Sequence, residues 1–197
     1  MAGYRALNIG KFCNVGKEFH VEKRPLAGRQ TLHGLPFVIG AKRKRFVGFN
    51  GTKGATTPVT IPINANARYV IVAHALLETK LFEGEPVGTI IAEYVFTFAD
   101  GQTAAVPIRE RFEIGALPFC WGMRPFLAVP DRKDKLHARY EGPYGSQGFR
   151  QTEASAGSPH TFYLWAWENP APAKRIASLT IRPRDRKFVV GAVTLSQ

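Results

Sequence analysis

Cysteine is nearly missing from this chain. Among 197 residues only Cys13 and Cys120 carry thiols, too few for a disulfide framework. A two-sheet fold could bring them together, but two buried thiols are the simpler expectation. No Cys-x-x-Cys pair and no close histidine cluster marks a metal site, so neither a metal nor any other cofactor is expected. Long hydrophobic runs are missing as well. No stretch of eighteen apolar residues occurs, and no transmembrane span is expected. Residues 1–11 lack the apolar core of a signal peptide. The expected compartment is cytoplasmic, or periplasmic or secreted if a leader has been removed. Nothing reads as a long amphipathic helix. There is no Gly-x-Ser-x-Gly elbow, and the glycine-rich stretch 142–148 lacks the lysine and strand-to-helix setting of a phosphate loop. Acidic residues are scarce, 15 against 27 Lys and Arg, which leaves a net charge of +12. Such a balance attracts polyanions.

The hydrophobic fraction of 45% supports a real core, and the 19 glycines and 14 prolines are scattered rather than periodic. That combination predicts many short strands joined by tight turns. The chain is organised around residues 161–172. Aromatic and apolar residues run unbroken from Phe162 to Trp167, bounded by Ser158-Pro159 and Asn169-Pro170. This predicts a strand packed on both faces, with Tyr163, Trp165 and Trp167 on one side and Phe162, Leu164 and Ala166 on the other. In the strand after it, alternation puts Ile176 and Ser178 on one face and Ala177, Leu179 and Ile181 on the other.

Elsewhere, 4–13 has weak strand character. Residues 28–40 read as a glycine-bracketed turn leading into a short strand, and Asn50-Gly51 as a turn. Residues 59–63 read as an edge strand marked by prolines, 68–77 as a central strand, and 187–195 as the last strand. The clearest hairpin joins 88–98 to 103–108 through Ala99-Asp100-Gly101-Gln102. Tyr94, Phe96 and Phe98 share one of its faces. The whole of 1–197 reads as one β-sandwich domain, with 1–27 an N-terminal extension or edge strand and 115–157 a long loop-rich insertion. An irregular segment of that length is usually functional or mobile.

The positive charge gathers in three places: Lys42-Arg43-Lys44-Arg45, then Arg109 and Arg111 around Glu110, then Arg182, Arg184, Arg186 and Lys187 around Asp185. Four adjacent cations usually guard an edge or a solvated loop. A nucleic-acid binder would instead converge the three clusters on one face. His74, inside an apolar strand, reads as a satisfied core residue. The acidic pairs Glu83 with Glu85 and Asp131 with Asp134 could line a cation site, but such residues more often balance neighbouring cations. A ligand cleft combines an apolar wall with a few placed polar groups. Trp121, Arg124, Tyr140, Tyr144 and His160 could supply one from the loop-rich region, whereas Trp165 and Trp167 read as core.

Several pieces, taken in order, resemble the galactose-binding-like jelly-roll modules attached to bacterial glycoside hydrolases. These are Gly34-Leu35-Pro36-Phe37-Val38-Ile39, the 70–77 strand with His74, and Gly88-Thr89-Ile90 leading into Tyr94 and the Asp100-Gly101 hairpin. Ile114-Gly115 leading towards Trp121 follows, and then Trp167-Glu168-Asn169-Pro170-Ala171-Pro172 with Ile176, Ser178 and Leu179. A similar module precedes the metal-dependent domain in carbaryl-hydrolase-type enzymes of the polymerase-and-histidinol-phosphatase superfamily, whose metal-ligand motifs are absent here. The resemblance implies an all-β, antiparallel jelly-roll sandwich. Its role would be that of a non-catalytic accessory module that binds a carbohydrate or docks against a hydrolase catalytic domain or a second copy of itself. Two other readings stand beside it, a basic polyanion- or nucleic-acid-binding domain and a small hydrolase whose site is hidden from a linear reading.

Overall fold

The computed structural model describes residues 3–16, 26–41, 43–118, 123–131 and 161–196. Twelve strands run through them: β1 (Tyr4–Leu7), β2 (Gly28–Leu32), β3 (Leu35–Ile39), β4 (Val47–Phe49), β5 (Val59–Ala65), β6 (Tyr69–Leu76), β7 (Ile90–Phe98), β8 (Thr103–Arg109), β9 (Ala128–Pro130), β10 (Tyr163–Glu168), β11 (Ile176–Pro183) and β12 (Phe188–Ser196). The described residues contain no α-helix. One antiparallel sheet has the order β1-β12-β6-β10-β9, with β4 also paired to β12. A second has the order β5-β11-β7-β8 and packs on it face to face. The protein is therefore an all-β antiparallel sandwich.

Apolar alternation along each strand builds the space between the sheets. Val70, Val72 and Leu76 of β6 meet Tyr94, Phe96 and Phe98 of β7 there, together with Trp165 and Trp167 of β10. Trp167 lies flat on Phe96, with ring centroids 3.7 Å apart. The larger sheet also buries its other face. The β2–β3 hairpin lays Leu32, Phe37 and Ile39 over Ile71, Ala73, Phe162 and Leu164. This third layer explains why β6 and β10 read as continuous apolar runs. The two-sided reading of β10 holds except at Ala166, which is exposed.

Turn chemistry follows the sequence. His33 and Gly34 both have positive φ and close the β2–β3 hairpin in two residues. In the β7–β8 turn Gly101 sits at φ +85°, Asp100 accepts the Gln102 amide at 3.0 Å, and Lys174 Nζ reaches Asp100 at 2.6 Å. β5 lies at a sheet edge and β6 within its sheet, as the sequence suggests.

The face assignment in β11 needs correction. A bulge between Ile176 and Ser178 shifts the register by one, so Ile176 joins Leu179 and Ile181 in the core. β12 carries a second bulge between Val190 and Ala192. There, any Cβ on Gly191 would sit inside the Phe162 ring. A short strand, β9, also lies within the region read as an irregular insertion.

Candidate functional site

The β6–β7 and β11–β12 connections, and the chain between β8 and β9, meet at one end of the sandwich. Beneath this end lies a buried polar column. His74 of β6 faces Tyr94 of β7 across the core, with Nδ1 3.0 Å from the phenolic oxygen and Nε2 2.8 Å from the Glu113 carbonyl. A carbonyl can only accept, so Nε2 carries the proton and Tyr94 donates to Nδ1. Trp165 stacks on the imidazole at 6.3 Å. Burial outweighs the Glu113 contact and pushes the His74 pKa down to about 4. Both ring nitrogens are engaged, so this histidine is a neutral core residue with no open position for a substrate or metal.

Above it, the chain leaving β8 makes a tight turn. Glu113 folds back on Arg109, accepting Nη2 at 2.6 Å, Nε at 3.1 Å and the Arg109 amide at 2.8 Å. Glu113 is the leading cause of the upward shift in the Arg109 pKa. Arg111 takes φ +70° at the corner. Glu110 is buried beside it. Desolvation raises its pKa; the Thr79 hydroxyl, Arg186 and Arg111 offset part of that rise. Arg186, itself only 2% exposed, is clasped by Glu85 and Asp185. These ionic groups therefore serve to fix loops to the sandwich. Asn50 completes the work from the β4 side, donating to the carbonyls of Arg184 and Arg186.

The outer surface of the same turn is apolar. Phe126 and Leu127 donate their amides to the carbonyls of Arg111 and Phe112, at 2.8 and 2.9 Å. That brings Phe126 edge-on to Phe112 at 5.3 Å. Gly88 lies against the same Phe112 ring, with Val87 next to it, and Ile90 pairs with Arg109. Val87, Ile90, Phe126 and Leu127 are all exposed. The guanidinium of Arg109 stands 4.4 Å over the Phe112 ring and that of Arg111 4.9 Å over the Phe126 ring. The result is one contiguous apolar face rimmed by arginines.

Of the five residues suggested for a ligand cleft, the structure places one. Arg124 is half-buried in the 123–127 segment that packs against this turn. Trp121, Tyr140, Tyr144 and His160 lie outside the described residues, as do His20, Lys42, Cys120, Asp134 and His137. Cys13 is buried, and desolvation pushes its thiol up to about 11. The cation sites weighed for Glu85 and Asp131 give way to other partners. Glu85 pairs with Arg186, and the buried Asp131 carboxylate accepts the amides of Thr161 and Phe162 at 3.0 and 2.9 Å. Among the described residues, no three His, Cys, Asp or Glu are grouped to hold a metal.

Arg109, Arg182 and Arg186 are each paired with a carboxylate, while the turn of Arg43, Lys44 and Arg45 enters β4 from its opposite end. The apolar face was missed because Phe112, Phe126 and Leu127 stand in a stretch without periodicity. Pro125 followed by two large apolar residues was the available signal. Comparison with protein-family models, curated proteins and solved structures finds no match. The fold and this face define the class, an antiparallel β-sandwich with an aromatic and arginine-rimmed surface at its loop end.

Proposed function

We propose that the chain is a non-catalytic accessory β-sandwich module that docks, through its loop-end face, against a catalytic domain or subunit of a bacterial hydrolase. The observation that carries this reading is the exposed surface of Val87, Ile90, Phe126 and Leu127 around the half-buried Phe112, with Arg109 and Arg111 at its rim. Exposed apolar patches of this kind mark interaction sites, and aromatic residues with arginine are the types enriched in protein interfaces. A chemical reaction would need free titratable groups in a cleft. Several described groups beneath the face are instead held in pairs, as in Glu113 with Arg109, Arg186 with Glu85, and His74 with Tyr94, while the buried Glu110 carboxyl stands in no ion pair among the described residues. The galactose-binding-like, jelly-roll identity belongs to this proposal and rests on the ordered sequence pieces. A carbohydrate cleft is its alternative; of the residues that would build one, Arg124 is among the described residues and lies near the face. The polyanion reading draws on the +12 charge and its three basic clusters.

The test is in-cell crosslinking followed by recovery of the module, as wild type and as the double variant Phe126→Asp with Leu127→Asp. A hydrolase domain should crosslink to the wild type and not to the variant, and both should melt at the same temperature. A glycan array at low and high salt supplies the opposing outcome. Salt-resistant binding of one neutral sugar class, equal in both proteins, would overturn docking in favour of a carbohydrate site.

A further inference from the structure

A second surface lies apart from the loop-end face. An open groove of about 510 Å³ runs between β1 and the β2–β3 hairpin. Arg5 of β1 and Arg29 of β2 both line it, with Gln30, Thr31, Pro36 and Val38 nearby, and none of its lining residues is acidic. β1 pairs with β12 on one side only, so among the described residues its other edge is unpaired. Such an edge offers a row of amides and carbonyls to any extended chain. Three of the other edge strands carry a proline that interrupts the row, Pro62 in β5, Pro107 in β8 and Pro130 in β9, and the three-residue β4 is bridged at Phe49 by Ala55. β1, Tyr-Arg-Ala-Leu, has no proline.

We propose that this groove receives an extended acidic peptide segment of a partner protein, which adds a strand to the open edge of β1 and sets its carboxylates on Arg5 and Arg29. Strand addition draws affinity from main-chain hydrogen bonds and specificity from the side chains that flank them. Here the flanking groups are two guanidiniums, which take carboxylates in a two-point grip. A second copy of this chain is a poorer occupant. Two β1 strands related by a two-fold axis would bring their Arg5 side chains together, on molecules that each carry a net charge of +12. Since β1 spans four residues, the paired segment is short, about 13 Å of extended chain.

The experiment is fluorescence anisotropy at 150 mM salt with a labelled peptide of alternating valine and glutamate. Three comparisons accompany it: the same peptide with lysine for glutamate, the glutamate peptide N-methylated at alternate residues, and the double variant Arg5→Glu with Arg29→Glu. The glutamate peptide should bind the wild type, and the lysine and N-methylated peptides should not. The double variant should lose about tenfold or more in affinity for glutamate and gain the lysine peptide. Both side chains project from strands into an open groove, so the variant should keep the wild-type melting temperature. Equal binding of the N-methylated peptide would reduce the interaction to charge attraction and overturn the proposal. So would an affinity unchanged in the arginine variant, or no binding of the glutamate peptide. None of these outcomes depends on the Phe126 and Leu127 face.

Discussion

At the scale of single residues, Trp167 and His74 make opposite kinds of contribution to the core. Trp167 is apolar surface held flat against Phe96, and truncating a buried tryptophan to alanine typically costs about 3–5 kcal/mol. Trp167→Ala should therefore unfold the domain or sharply lower its melting temperature; a melting curve that overlays the wild type would refute the core assignment. His74 contributes through its protonation state. Its folded pKa is about 4 against an ordinary 6.5, so between those values the unfolded chain binds the extra proton. Stability from this site is complete above about pH 6.5 and falls as the pH drops towards 4, by on the order of 3 kcal/mol in all. Glu110 works in the reverse sense. Its raised pKa favours the fold at low pH and loses that contribution as the pH rises. The two are separated by measuring the urea midpoint from pH 7 to pH 4 in the wild type and in His74→Gln. The variant should be less stable at pH 7 and should lose less on acidification. Parallel pH profiles would show that the imidazole is not held neutral by the fold.

At the scale of elements, most strands announce themselves. Asp100-Gly101 between two alternating runs specified the β7–β8 hairpin, and the prolines of β5 marked an edge. Failures came where the backbone departs from a period of two. The bulge after Ile176 keeps three apolar residues of β11 on one face, which strict alternation divides. In β12 the bulge at Gly191 makes Val190 and Val193 share the inter-sheet face while Val189 and Ala192 turn to the hairpin layer. An unbroken apolar strand hides such a step, because either register buries carbon. The loop-end face was illegible for a different reason. Its residues come from three separate segments, brought together by the hydrogen bonds of Phe126 and Leu127 to the Arg111–Phe112 turn and by those between residues 88–89 and Glu110. Gly191 supplies the element-scale prediction. Gly191→Ala places a methyl group into the buried Phe162 ring, and overpacking of this kind costs about 1–3 kcal/mol. Chemical denaturation should find Gly191→Ala destabilised and Gly191→Ala with Phe162→Leu less so than the sum of the two single changes. Strict additivity would mean that the ring and the glycine do not meet.

At the scale of the whole molecule, the net charge of +12 is less available than its size implies, since several of the arginines are spent on carboxylates that hold loops in place. What remains for partners is segregated, aromatic surface at the loop end and paired arginines in the β1 groove. β12 joins these regions. It hydrogen-bonds β6 along one edge, while β4 and β1 share its other edge on either side of the Gly191 bulge. Three strands that precede it in the chain by more than a hundred residues thus wait for the same partner. Folding dominated by such distant pairings is slow, on the order of milliseconds to seconds. During synthesis, β1, β4 and β6 emerge as open edges and stay so until residues 188–196 have been made. The proline-free edge of β1 is then exposed twice, once to the nascent chain's own surroundings and once, after closure, to whatever the finished groove is shaped to hold.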